Sequence, residues 1–208
     1  MVESLPFLTS GVLLGLVAGI APGPLLTLVI AETLRHSRKE GIIVACVPVL
    51  TDMPIVLVSI LVLAKLSESN LILGIISILG ALFMMYLAYE SISVKGIDLN
   101  IPQVEAQSLK KGIITNFLNP HPYVFWMTVG TPTILKAYKV NLASAVLYVA
   151  GFYVLLVGSK MVIALLVDES KMFLKNRLYK YLLRALGLVL LIFSMVFVRD
   201  GLEFFGLI

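Results

Sequence analysis

Six apolar runs set the terms for this chain, at about 5–33, 41–64, 70–93, 112–135, 141–167 and 181–205. A helical membrane span needs roughly 20 such residues, so each run is long enough to cross a bilayer. Of the 208 residues 60% are hydrophobic and only 13% charged, whereas a soluble domain carries about a quarter charged residues. The lipid bilayer is therefore the expected solvent, and an all-α membrane protein is the expected fold class. The net charge of +4 does not point to nucleic acid, because the basic residues sit in short loops between apolar runs and not on one face. Cys46 is the only cysteine, so no internal disulfide or thiolate metal site is expected. The N-terminal "MVESLPFLTSG" lacks a basic n-region and a small-residue cleavage site, and the first run is expected to stay in the mature protein.

The first run holds 29 residues, roughly 43 Å of helix at 1.5 Å per residue. It fits a bilayer only if tilted or broken, and Pro22-Gly23-Pro24 in "GIAPGPLLTLVI" supplies a break. A second Pro-x-Pro, Pro120-His121-Pro122 in "NFLNPHPYVFW", lies 98 residues further on, again in the first span of a three-span half. Three is odd, so two copies of the unit insert with opposite orientation, the inverted-repeat plan of many secondary transporters. The expected organisation is a single membrane domain. It comprises a first three-helix repeat at 1–94, a cytoplasmic connecting loop at 95–111 and a second repeat at 112–208, the first helix of each repeat broken at Pro-x-Pro. Loops after spans one, three and five carry eleven Lys and Arg residues against four on the opposite side. That bias puts both termini outside the cytoplasm.

The prolines leave the carbonyls of Ala18, Ile20, Asn116 and Leu118 without their usual donors. Bare peptide groups at membrane depth must line a cavity or find partners. Each break also starts a half-helix, with Gly23 or His121 where an N-cap would lie. The amides at Leu25–Thr27 and 123–125 then form positive helix ends suited to a carboxylate. Alternatively, Thr27, Thr115 and Asn119 satisfy the freed groups. Asp52, near the centre of span two between Pro48 and Pro54, is a functional candidate by default at such depth. It is suited to exchange a proton or to hold a substrate ammonium, the bland reading being an Asp satisfied by Thr51 and a neighbouring span. Lys160 lies past the middle of its span and is as suited to snorkelling as to pairing with Asp52. His121 suits proton transfer or substrate contact, a polar cap being the alternative. Glu32 and Glu90 read as interfacial charges. Trp126, Tyr86, Tyr89 and Tyr123 fit either an interfacial belt or a cavity.

Gly11, Gly15, Gly19 and Gly23 recur every four residues and make a smooth stripe for close helix packing. Its partner is another span of the chain or a second subunit, so a homo-oligomer is an option. No Walker loop, His-Glu-x-x-His or nucleophile elbow occurs, so no enzyme and no cofactor is expected, and transport would draw on an ion or substrate gradient.

These residues resemble the lysine exporter / homoserine–threonine resistance (LysE/RhtB) translocator family. The likeness is carried by "GLVAGIAPGPLLTLVIAETLRHSRKEG" at 15–41, Asp52, "LGALFMMYLAYESI" at 79–92 and "KKGIITNFLNPHPYVFW" at 110–126. The resemblance implies six spans, a cytoplasmic membrane location and export of amino acids or related small metabolites against protons. Pro22, Gly23, Pro24, Asp52, Asn119 and Pro120 carry the family pattern directly. The chain departs from it at Thr51, where members often have Gly, and at His121, where they often have Lys. The expected substrate-binding set is Ala18, Pro22, Gly23, Pro24, Thr27, Asp52, Asn116, Asn119, Pro120, His121 and Pro122, with Asp52 and His121 coupling protons. Two other functions compete. A divalent-cation exporter would need more acidic or His ligands than the single central Asp. A non-transporting scaffold would leave the paired breaks unexplained.

Overall fold

A computed structural model describes residues 2–66, 69–93, 107–169 and 177–208. Most of the expected connecting loop and residues 170–176, with Lys95, Lys171 and Lys175, lie outside the described residues, as does the side chain of Glu90. Among the described residues all regular structure is helical: α1 (Leu5–Ile20), α2 (Pro24–Arg35), α3 (Arg38–Leu66), α4 (Asn70–Ser93), α5 (Ser108–Leu118), α6 (Pro120–Phe125), α7 (Thr131–Val140), α8 (Leu142–Glu169) and α9 (Arg177–Phe204).

Local chemistry explains where helices stop. In α1 the Ala21 amide still reaches the Val17 carbonyl at 2.8 Å, but Pro22 has no amide to continue the ladder. The chain leaves the helix, Gly23 caps α2 in an extended conformation, and Pro24 takes the first helical position. The result is a 59° bend between Leu5–Ile20 and Pro24–Leu34. Pro48 and Pro54 do not break α3, because each removes one donor in isolation whereas Pro-Gly-Pro removes two within three residues.

Arg38–Leu63 and Leu142–Glu169 are each long and apolar enough to cross a membrane, and the bent α1–α2 pair makes a third candidate. The other three expected spans are helical too: 70–93 is α4, 112–135 is divided among α5, α6 and α7, and 181–205 falls almost wholly in α9. The outer faces are apolar, with Leu50, Met53, Leu57 and Leu61 of α3 and Val146, Val154 and Val162 of α8 all exposed. Exposed apolar rows of this length suit acyl chains and not water.

The helices pair in a pattern that survives exchange of the two halves. α1 packs along α8 as α5 packs along α3, α2 lies on α3 as α7 lies on α8, and α4 pairs with α9. The glycine stripe is what brings α1 so close to α8. A Cβ on Gly11 or Gly15 would run into the backbone of Tyr148 or Phe152, and one on Gly19 into Ser159. The stripe therefore packs within the chain. Gly23 leaves it: nothing lies within 4 Å of where its Cβ would be.

Candidate functional site

A carboxylate at membrane depth persists where hydrogen bonds hold it, and Asp52 of α3 is 4% exposed. Its Oδ1 accepts from Asn116 Nδ2 at 2.8 Å and its Oδ2 from Trp126 Nε1 at 3.3 Å. Asn116 Nδ2 also donates to Thr51 Oγ1 at 2.6 Å, and the Thr51 hydroxyl donates to the Val47 carbonyl at 3.0 Å. The acid of the first half is thus oriented by donors of the second. An ionised carboxylate has about four lone-pair sites, so two donors leave room for a third.

Trp126 reaches Asp52 because it heads a π turn, Trp126–Gly130, between α6 and α7. Gly130 permits the indole to lie where a Cβ would collide with it. Widened turns of this kind are frequent at functional sites. The indole is 1% exposed and packs against Phe152 and Tyr153, ring centroids 5.2 and 6.0 Å away. Trp126 is therefore a wall residue and no interfacial belt anchor. Tyr89 is exposed, Tyr86 is half exposed and meets His121 edge-on with ring centroids 6.0 Å apart, and the Tyr123 hydroxyl donates to the Phe117 carbonyl at 3.0 Å.

Both breaks and Asp52 border one cavity of about 110 Å³. Of the residues expected from sequence, Ala18, Pro22, Gly23, Asp52, Asn116, Asn119, His121 and Pro122 line it. Pro24 and Thr27 are exposed on α2 outside it, and the side chain of Pro120 lies outside the described residues. Lys160, Trp126 and Phe152 also line it; the sequence left the first two open between a cavity and the interface and did not single out Phe152.

The two breaks differ chemically, which sequence symmetry did not anticipate. At the first, Thr27 is not a free donor, since its amide reaches the Gly23 carbonyl at 2.9 Å. Leu25 and Leu26 keep first-turn amides with no intrahelical acceptor. The freed carbonyls include those of Ala18 and Gly19, and Lys160 Nζ takes both, at 3.1 and 2.9 Å. Lys160 is 3% exposed, so it does not snorkel, and no ion pair with Asp52 occurs among the described residues. The second break is closed locally. Asn119, not His121, is the N-cap, and its Oδ1 accepts the His121 amide at 3.1 Å. The Asn119 amide returns to the Asn116 carbonyl at 3.3 Å. Pro120 and Pro122 have no amides and residues 123–125 fall past the first turn, so α6 presents no spare donor.

Glu32 overturns its reading as an interfacial charge. It is 0% exposed, accepting from Ser108 Oγ at 2.7 Å and Lys111 Nζ at 2.9 Å, with His36 Nε2 at 3.5 Å. This cluster seals α2 against α5. Glu32 does lie at the end of the first apolar run, but the approach of α5 buries it. Lys111→Met is expected to cost about 2–3 kcal/mol, below the range for a wholly buried pair because Lys111 is 27% exposed. Adding Glu32→Gln should restore most of that loss, as read by thermal unfolding in detergent. A double variant no more stable than Lys111→Met would show that the buried charge is not the cause.

A family model described as LysE type translocator matches residues 16–201. The chain belongs to the LysE type translocator family. No curated protein and no solved structure matches the sequence. This LysE-family chain is a multi-pass membrane transporter, and the family is one of transporters and not of enzymes.

Proposed function

We propose that this LysE-family transporter exports amino acids or similar small zwitterions across the cytoplasmic membrane by proton antiport. The observation that carries the reading is the meeting of both helix breaks with a buried carboxylate in one cavity. The Leu25 and Leu26 amides at the start of α2 suit a substrate carboxylate, and the unfilled lone pairs of Asp52 suit its ammonium group or a returning proton. The half-exchange symmetry of the helix pairing supports two inverted three-span repeats and six spans. With the basic loops cytoplasmic, both termini lie outside.

Alternating access in such a fold closes one side of the site at a time. The α2–α5 seam carries the Glu32 cluster, whereas between α1 and α7 lies a second cavity of about 320 Å³, bordered by Leu14 and Thr133 and by α4 and α9. We assign the closed seam to the cytoplasmic side. A divalent cation is disfavoured, because the ammonium of Lys160 shares the cavity with the single acid. The test is counterflow of labelled amino acids in proteoliposomes. Accumulation driven by unlabelled substrate inside, with opposite proton movement when substrate moves net down its gradient, is the expected result, and no counterflow with any amino acid would sink the reading.

A further inference from the structure

A lysine in the membrane interior is costly to desolvate and marks a function by default. Lys160 reaches from α8 to the stripped C-terminal end of α1, where helix carbonyls gather partial negative charge. Two of its three N–H donors engage the Ala18 and Gly19 carbonyls. The side chain borders the same cavity as Asp52, with no direct pairing between them. The cavity thus keeps one acid and one base apart, on α3 and α8, instead of letting them collapse together. His121 is the other titratable side chain on its wall that carries a basic nitrogen.

We propose that Lys160 is the specificity-determining residue of the site, selecting net-neutral cargo and rejecting cations. The inference rests on the cavity being a zwitterion site, as proposed above. Its physics is charge balance in a low-dielectric space, where unit charges interact far more strongly than in water. With Lys160 opposite Asp52 the empty cavity is balanced, and a zwitterion keeps it so. The cargo carboxylate meets the third Lys160 N–H and the α2 amides, while its ammonium meets Asp52. A cation brings an unmatched charge. It also finds the bare carbonyls that would best hold an ammonium already occupied by Lys160, which acts as a tethered stand-in for a cationic substrate.

The test compares a neutral amino acid that the wild type exchanges with its own C-terminal amide, which keeps the side chain but carries a net positive charge. Competition against counterflow of the labelled acid gives the preference. In wild type the acid should compete at least tenfold better than the amide. Lys160→Met should cut that ratio at least tenfold by gaining affinity for the amide, Lys160→Arg should preserve it, and His121→Gln should leave the sign of the preference unchanged. A wild type that takes the amide as well as the acid overturns the proposal without any variant. An unchanged ratio in Lys160→Met overturns the role of Lys160 alone, leaving the transporter reading standing. Absence of exchange for every amino acid sinks the parent reading, and this one with it.

Discussion

Asp52→Asn is expected to reduce counterflow to near background. Asp52 is the acid that both halves orient, through Asn116 of α5 and Trp126 of the π turn. Removing one partner of a buried charged contact costs about 2–5 kcal/mol, so substrate binding should weaken on the order of 100-fold, at 1.4 kcal/mol per tenfold. Proton movement coupled to net substrate flux should vanish with it. An asparagine offers one acceptor where the carboxylate offers two, so its amide group would face either Asn116 Nδ2 or the indole N–H. That mismatch threatens folding, and Trp126→Phe in the same chain removes the competing donor. A folded Asp52→Asn/Trp126→Phe protein that exchanges amino acids as well as Trp126→Phe alone, with net flux still coupled to protons, would show that Asp52 has neither role.

Gly15→Ala is the second large effect, on stability and not on chemistry. A Cβ there would stand 2.8 Å from the Phe152 carbonyl carbon and Cα, and closer still to its oxygen. These are backbone atoms of α8 and cannot rotate aside, so the two helices must separate along the seam. Overpacking of this kind costs typically 1–3 kcal/mol, and the rigid neighbours put Gly15→Ala at about 3 kcal/mol. Gly23→Ala is the control. It has the same four-residue spacing but open space around the new methyl, and replacing a favourable N-cap glycine by alanine should cost about 1 kcal/mol or less. Unfolding midpoints in detergent for the two variants check this. Equal midpoints would remove the α1–α8 contact from the list of what holds the fold together.

The glycine pair shows how far local pattern reaches. Four glycines at equal spacing read as one surface, yet only three meet α8, because the chain bends at Pro22 before Gly23 can continue the stripe. The Pro-x-Pro repeat likewise read as two equivalent sites. The prolines did fix where donors are missing, but which groups took up the freed carbonyls depended on neighbours: Lys160 from α8 at the first break, Asn119 and Tyr123 locally at the second. The signal for Lys160 was present as a charged residue within a span. Its direction was not, because a long flexible side chain reaches either the interface or the interior depending on what lies across from it.

Some features of this transporter follow from the sequence alone. Long apolar runs with few charges require a helical membrane protein, Pro22 and Pro24 must interrupt the first run, and Asp52 must lie deep in the second. These are consequences of chain chemistry that no packing alters. The tertiary structure decided which charges are enclosed and with whom. Glu32 is buried only because α5 lies over it, and Lys160 meets α1 only because glycines let α8 approach. Burial and pairing belong to surfaces brought together from distant parts of the chain, and a helical period records which face a residue occupies, never what will cover it.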